Sequence, residues 1–187
     1  MNKLQGFKAL RELGIPAAPW SFMDSNTKLD KSVLWTVRTA VEIGDDYNLP
    51  KAVGVNAIVA KQKHKEFSNQ GLKVIYYPYF VAKVSGVLDI SSLNGIVLEY
   101  CIGDLWNLVT YDKPQGRYIK PLSTDCSGIG YFNRLFMYAK HVHSKMKVFV
   151  EDGLHIYLEW SIAHKCNLKG NPVGKPYIVF YEFRVID

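Results

Sequence analysis

The chain has 187 residues, 48% hydrophobic and 13% aromatic, and its 23 Lys and Arg against 17 Asp and Glu give a formal charge of +6. That much apolar material builds a sizeable core and excludes a disordered chain, and the length suits a single domain with room for two lobes. The positive balance permits anionic partners without demanding them.

No run of eighteen apolar residues occurs, so no membrane-spanning helix is expected. The first residues lack the apolar core of a signal peptide. Cys101, Cys126 and Cys166 fit neither a zinc spacing nor a disulfide framework, so a reducing cytoplasm is the expected compartment.

In chain order, Leu4, Phe7, Leu10 and Leu13 recur at helical spacing until Gly14-Ile15-Pro16 stops them. Lys8 lies on this short helix. Residues 17–30 read as a loop. Residues 32–40, SVLWTVRTA, read as a buried strand ending near Arg38, and a Gly/Asp/Asn/Pro loop follows. An arginine leaving a strand into such a loop suits a ligand contact; a surface pairing with Asp45 or Asp46 fits equally well. Residues 56–68 read as a helix with Ile58, Val59 and Phe67 inward and a basic run outward. That run lacks interleaved aromatics, which argues against nucleic acid.

Residues 71–111 are β-rich. Two strands are expected around Pro78 and a third after Gly86, followed by GIVLEYC and DLWNLVTYD, and their short, regular spacing argues for an antiparallel sheet. Tyr76, Tyr77, Tyr79 and Phe80 cluster beside Pro78, either as packing or as the wall of an adenine site. Residues 113–128 read as a loop. Residues 129–150 read as one long amphipathic helix carrying Leu135, Phe136, Ala139 and Val142.

The end of the chain, residues 154–187, reads as a hairpin. In the first run Ile156, Leu158, Trp160 and Ile162 alternate with His155, Tyr157, Glu159 and Ser161. In the second, strict alternation puts Tyr177, Val179, Tyr181, Phe183 and Val185 on one face and Ile178, Phe180, Glu182 and Arg184 on the other. Glu159 and Glu182 then stand one per strand. Facing the same side, they can hold a divalent cation such as Mg²⁺, with Arg184 beside them for an anion. The alternative is an ordinary solvated face with scattered charges. There is no phosphate-loop signature, no G-x-G-x-x-G and no G-x-S-x-G, so any chemistry would rest on carboxylates, basic residues and a metal.

The order of these segments resembles a shortened ATP-grasp nucleotide-binding domain of phosphoenolpyruvate synthase and pyruvate phosphate dikinase. GFKALRELGIPAAPWSF is similar to the family's opening helix and Gly-x-Pro-x-Pro loop, with Lys8 at its lysine. WTVRTAVEIGDD is similar to its V-R-S-S-A segment, with Arg38 at the arginine. VSGVLDI and VLEYCIGD stand where the family has its Ser-Gly-Val and Gly-Leu-Gly-Glu segments. YLEW and FYEFR are similar to its D-I-E-W and L-Q-x-R-P, with Glu159 at the metal-binding glutamate and Glu182 at the metal-binding glutamine. The resemblance spans nearly the whole chain as weak motifs in the right order. There are departures: only thirty residues separate positions 8 and 38, Ala40 replaces a serine, Ile102-Gly103-Asp104 replaces Gly-Leu-Gly-Glu, and Glu182 replaces glutamine.

The resemblance implies an α+β, ATP-grasp-like fold with a mostly antiparallel sheet and packed helices, in which residues 1–70 form a reduced first lobe and residues 71–187 a second. It implies ATP bound with adenine near Tyr76, Tyr77, Tyr79 and Phe80, phosphates on Lys8, Arg38 and Arg184, and Mg²⁺ on Glu159 and Glu182. The chemistry implied is phosphoryl transfer or ligation, with a carboxylate or a partner protein as acceptor. Two other readings stand beside it: a degenerate module that binds a nucleotide or a protein without chemistry, and a basic nucleic-acid-associated protein resting on charge and the lysines at 61–65.

Overall fold

The structure, a computed structural model, describes residues 1–44, 49–105, 108, 114–124 and 128–187. Helix α1 (Lys3–Glu12) begins at a capping box in which the Asn2 side chain accepts from the Gln5 backbone N–H and the Gln5 side chain accepts from that of Asn2. Its buried stripe of Leu4, Phe7 and Leu10 follows the apolar spacing of the sequence. Gly6 lies on the same stripe. A Cβ there would stand 2.6 Å from the Phe183 carbonyl oxygen, so only glycine lets α1 sit this close to the last strand.

Strands β1 (Ser21–Phe22), β2 (Trp35–Ala40), β3 (Lys51–Val55) and β4 (Lys73–Pro78) form an antiparallel sheet in the order β1-β4-β2-β3. Helix α2 (Ala57–Asn69), capped by the Asn56 side chain, covers one face of it. Ala57, Ala60 and Phe67 pack there with Trp35, Val37 and Val74. Ile58, expected to point inward, is 68% exposed: it lies one residue out of phase with the Ala57–Ala60 stripe. The other face of the sheet carries Thr36, Arg38 and Tyr77, which become important below.

After Pro78 the chain enters a second sheet. Strands β5 (Phe80–Ser91), β6 (Gly95–Ile102), β7 (Gly116–Lys120), β8 (His155–Cys166) and β9 (Pro172–Ile186) lie in the order β7-β6-β5-β8-β9, with every pairing antiparallel. Helices α3 (Tyr131–Lys145) and α4 (Lys147–Glu151) sit between β7 and β8 in sequence. Leu135, Phe136, Ala139 and Val142 of α3 press onto Leu88, Leu98, Leu158 and Phe180 of the sheet. Each of the Leu, Phe and Val side chains among them contributes roughly 1.5–3 kcal/mol of burial.

The fold is therefore α+β, with antiparallel sheets and packed helices, as expected. Several details differ from the sequence reading. Gly86 does not separate two strands; it lies inside β5, where a Cβ would stand 2.1 Å from the Glu99 carbonyl oxygen and 2.6 Å from the Trp160 ring. The expected loop at 113–128 contains β7, which pairs with β6. The long helix is interrupted at Met146. Most of the strand expected from DLWNLVTYD lies outside the described residues, as do Asp45, Asp46 and Cys126.

The largest correction concerns β9. Glu159 pairs with Glu182, but the next residue, Trp160, pairs with Phe180, so Tyr181 is the extra residue of a β-bulge. Strict alternation fails there. Phe180 and Phe183 both enter the helix-covered core, while Tyr181 and Glu182 both lie on the opposite side.

Candidate functional site

The two sheets face each other across a cleft of about 280 Å³. Thr36, Arg38 and Tyr77 reach it from the first sheet, and Glu159, Ser161 and Tyr181 from the second. Lys3, at the start of α1, closes one side. Lys51 and Asp104 stand at its exposed margin.

Glu159 lines the cleft, and a second carboxylate, Glu182, lies beside it. Glu159 and Glu182 are directly opposed on β8 and β9, and opposed residues share a face, with Cβ atoms roughly 4.5–5.5 Å apart. The bulge at Tyr181 turns Glu182 toward the cleft side. Glu182 is 3% exposed, and two cations hold it: Lys3 Nζ donates to Oε2, and Arg184 Nε donates to Oε1 at 2.8 Å. No described residue bonds the Glu159 carboxylate in this way. Burial pushes its pKa up; Lys3 opposes the shift and Glu182 adds to it. Burial, and then Arg38, push the Lys3 ammonium down, against the pull of the two glutamates.

Across from the carboxylates is a cationic wall. Arg38 and Lys51 are direct partners in the β2–β3 register, and like charges so placed are unfavourable. Among the described residues neither has an ion pair. The buried Nε of Arg38 has no hydrogen-bond partner, and leaving such a group unsatisfied typically costs about 1–3 kcal/mol. An anion seated against Arg38 and Lys51 would supply the partner that the Arg38 Nε lacks.

The remaining walls are aromatic and hydroxylic. Tyr77 packs on Phe7 at 5.9 Å and Phe80 on Tyr181 at 5.7 Å between ring centroids, and Tyr79 covers Gly54. Ser161 bridges Ser85 at 2.8 Å and the Tyr181 hydroxyl at 3.1 Å. Burial holds the pKa of Tyr181 far above its usual range, so the phenol stays protonated and its hydroxyl donates to the Trp160 carbonyl.

The structure thus brings together Arg38, Tyr77, Tyr79, Phe80 and Glu159 along the cleft, with Glu182 and Arg184 joined beside it. Two expected residues stand elsewhere. Tyr76 faces the α2 side, against Trp35 at 5.5 Å, because β4 alternates. Lys8 lies on the exposed face of α1. The lysine that reaches the cleft is Lys3, and helical phase shows why: Lys3, Phe7 and Leu10 stand at i, i+4 and i+7, whereas Lys8 is rotated about 100° from Phe7. The sequence reading also missed Lys51, Asp104, Ser161 and Tyr181. Ser161 had a signal, since it shares the alternating face of Glu159. Tyr181 had none, because the bulge is a matter of register.

The two glutamates offer hard oxygen donors on one face, which suits Mg²⁺. Such an ion normally takes one or two carboxylates and completes its shell with water and phosphate oxygens. No cluster of three or more His, Cys, Asp or Glu suited to a metal occurs among the described residues, so the protein alone would supply two of the ligands.

No family model and no curated protein matches the chain. Among solved structures, the L-amino acid ligase from Bacillus licheniformis is similar over 97% of this chain and 39% of its own, with 11% identity and a TM-score of 0.49. The macrocyclase MdnC bound with precursor peptide MdnA, from Microcystis aeruginosa MRC, is similar over 97% of this chain and 51% of its own, with 9% identity and a TM-score of 0.49. This chain spans about two fifths and about half of those two chains.

Proposed function

We propose that the chain is an ATP-grasp-like nucleotide-binding module that holds a nucleoside triphosphate and Mg²⁺ in the cleft between its two sheets and supports ATP-dependent ligation or phosphoryl transfer. The observation that carries this reading is the opposition of charges. A wall of Arg38 and Lys51, with the Arg38 Nε unpartnered, stands across the cleft from Glu159 and its strand partner Glu182, to which Lys3 is bonded. A polyphosphate is the ligand class that suits both sides at once, because its oxygens accept from the cations, while Glu159 and Glu182 would hold a metal that neutralises its remaining charge. Tyr79 and Phe80 offer apolar surface for a base at one end.

Within this reading Arg38, Lys3 and Lys51 contact phosphates, Arg184 orients Glu182, and Glu159 and Glu182 would hold the metal. When bound, Mg²⁺ neutralises charge on the phosphate oxygens. The chain's own residues position the nucleotide and exclude water, which supplies most of the catalysis in phosphoryl transfer. Lys8 is replaced by Lys3 in the phosphate role, and Tyr76 leaves the adenine wall. The resemblance to the phosphoenolpyruvate synthase and pyruvate phosphate dikinase domain supports a carboxylate or a partner protein as acceptor. The reducing cytoplasm is the compartment proposed, with Cys101 and Cys166 as buried free thiols. No described helix is long and apolar enough to cross a membrane.

A thermal-shift series of ATP, ADP and AMP, with and without Mg²⁺, tests the proposal. A ligand that binds only the folded chain raises its apparent stability by mass action. Mg·ATP is expected to raise Tm most. Indifference to every nucleotide would overturn the reading and leave a protein-interaction module in its place.

A further inference from the structure

Two carboxylates at cross-strand distance, Glu182 buried and Glu159 half-buried, need a cation between them or a proton on one of them. The structure already supplies a cation, and it belongs to the chain. Lys3 Nζ bonds Glu182 Oε2 and lies close enough to Glu159 for the two to act on each other electrostatically. Arg184 takes the other Glu182 oxygen. Both oxygens of one prospective metal ligand are thus engaged by protein cations.

We propose that Lys3 is an exchangeable counter-ion: in the nucleotide-free chain its ammonium occupies the place between the carboxylates that the divalent cation needs, and it moves to the phosphates when nucleotide arrives. This rests on the nucleotide reading above and deepens it, by making metal binding conditional on the nucleotide. Three observations carry it. Lys3 lines the cleft, as Arg38 does, and the two lie close enough to repel each other, so a phosphate bound at Arg38 lies within its reach. Its carbon stem is long and flexible, so the ammonium can change partners without moving the helix. Helix α1 is fixed, since the capping box holds its first turn and Gly6 holds it against β9, so the exchange is confined to the side chain.

The exchange has a direction. Mg²⁺ or Mn²⁺ alone must displace an ammonium already bonded to Glu182. With phosphate present, the ammonium gains a new anionic partner and Glu182 is released to the metal.

The test is Mn²⁺ binding to the full chain, read from the free-Mn²⁺ electron paramagnetic resonance signal without nucleotide, and then AMPPNP titration in Mn²⁺. Wild type is expected to bind Mn²⁺ weakly without nucleotide, and Lys3→Met about tenfold more tightly, while Lys3→Met binds AMPPNP less tightly than wild type. Lys3→Arg, which grips Glu182 with a less yielding fork, is expected to bind nucleotide-free Mn²⁺ more weakly than wild type. It serves as the second arm if Lys3→Met fails to fold. Equal nucleotide-free Mn²⁺ affinity in wild type and either folded variant would overturn the exchange while leaving the nucleotide reading intact. Failure of wild type to bind AMPPNP at all would overturn both.

Discussion

Glu182 shows how far one residue's role depends on its partners. From sequence alone it is a glutamate where the family that the segment order resembles has glutamine, so Glu182→Gln looks like a harmless restoration. The structure changes that expectation, because Glu182 is the shared acceptor of Lys3 and Arg184. Glu182→Gln is predicted to lower the unfolding free energy by about 1–3 kcal/mol, the usual penalty for removing one partner of a buried hydrogen-bonded group; urea denaturation measures it. Glu159 behaves in the opposite way. Its pKa is raised mainly by burial, so the charged form is disfavoured in the folded state. The stability it allows is fully present below the usual carboxylate range and is lost as pH rises through the raised value. In metal-free buffer, Glu159→Gln is therefore predicted to be at least as stable as wild type at neutral pH, and the difference between the two should vanish on acidification. A variant that is less stable than wild type at neutral pH would show that Glu159 has a stabilising partner after all.

At the scale of elements, the hairpin of β8 and β9 was legible because alternation is a strong signal and because Glu159 and Glu182 stand on separate strands. Its phase was not. The bulge at Tyr181 inverts the pattern halfway along β9, and nothing in KPYIVFYEFRVID marks where the extra residue falls. Helix α1 is legible from its apolar spacing, but motif order points to Lys8 where helical phase points to Lys3. Strand β7 looks like loop in sequence because Pro114, Gly116 and Pro121 start and flank it; pairing with β6 overrides those signals. The close contacts of glycine were invisible for the same reason, since they depend on what lies opposite. They yield a direct prediction. Gly86→Ala forces a methyl to within 2.1 Å of the Glu99 carbonyl oxygen, and overpacking of that kind costs about 1–3 kcal/mol or more. Gly6→Ala meets the Phe183 carbonyl at 2.6 Å. It should lift α1 from β9, and with it Lys3 from Glu182. A guanidinium melt of Gly6→Ala that overlays wild type would contradict this packing account.

Taken whole, the molecule is two antiparallel sheets joined at Pro78, with the cleft where they meet and α1 packed against β9. The α+β architecture was legible from strand spacing and the long amphipathic helix, and the cleft itself was not, because it is made by residues distant in sequence: Arg38 and Glu159 converge through the sheet pairings, and Lys3 through the packing of α1 on β9. The central claim is that this convergence recognises the phosphates of a nucleotide. Equilibrium titration of ATP and AMP into the chain in Mg²⁺, repeated with Arg38→Met, tests it most directly. The account predicts that wild type binds ATP at least tenfold more tightly than AMP, and that Arg38→Met loses most of that preference, since a charge-assisted hydrogen bond contributes roughly 1.5–3 kcal/mol. Equal affinity of wild type for ATP and AMP, or an unchanged preference in Arg38→Met, would contradict it.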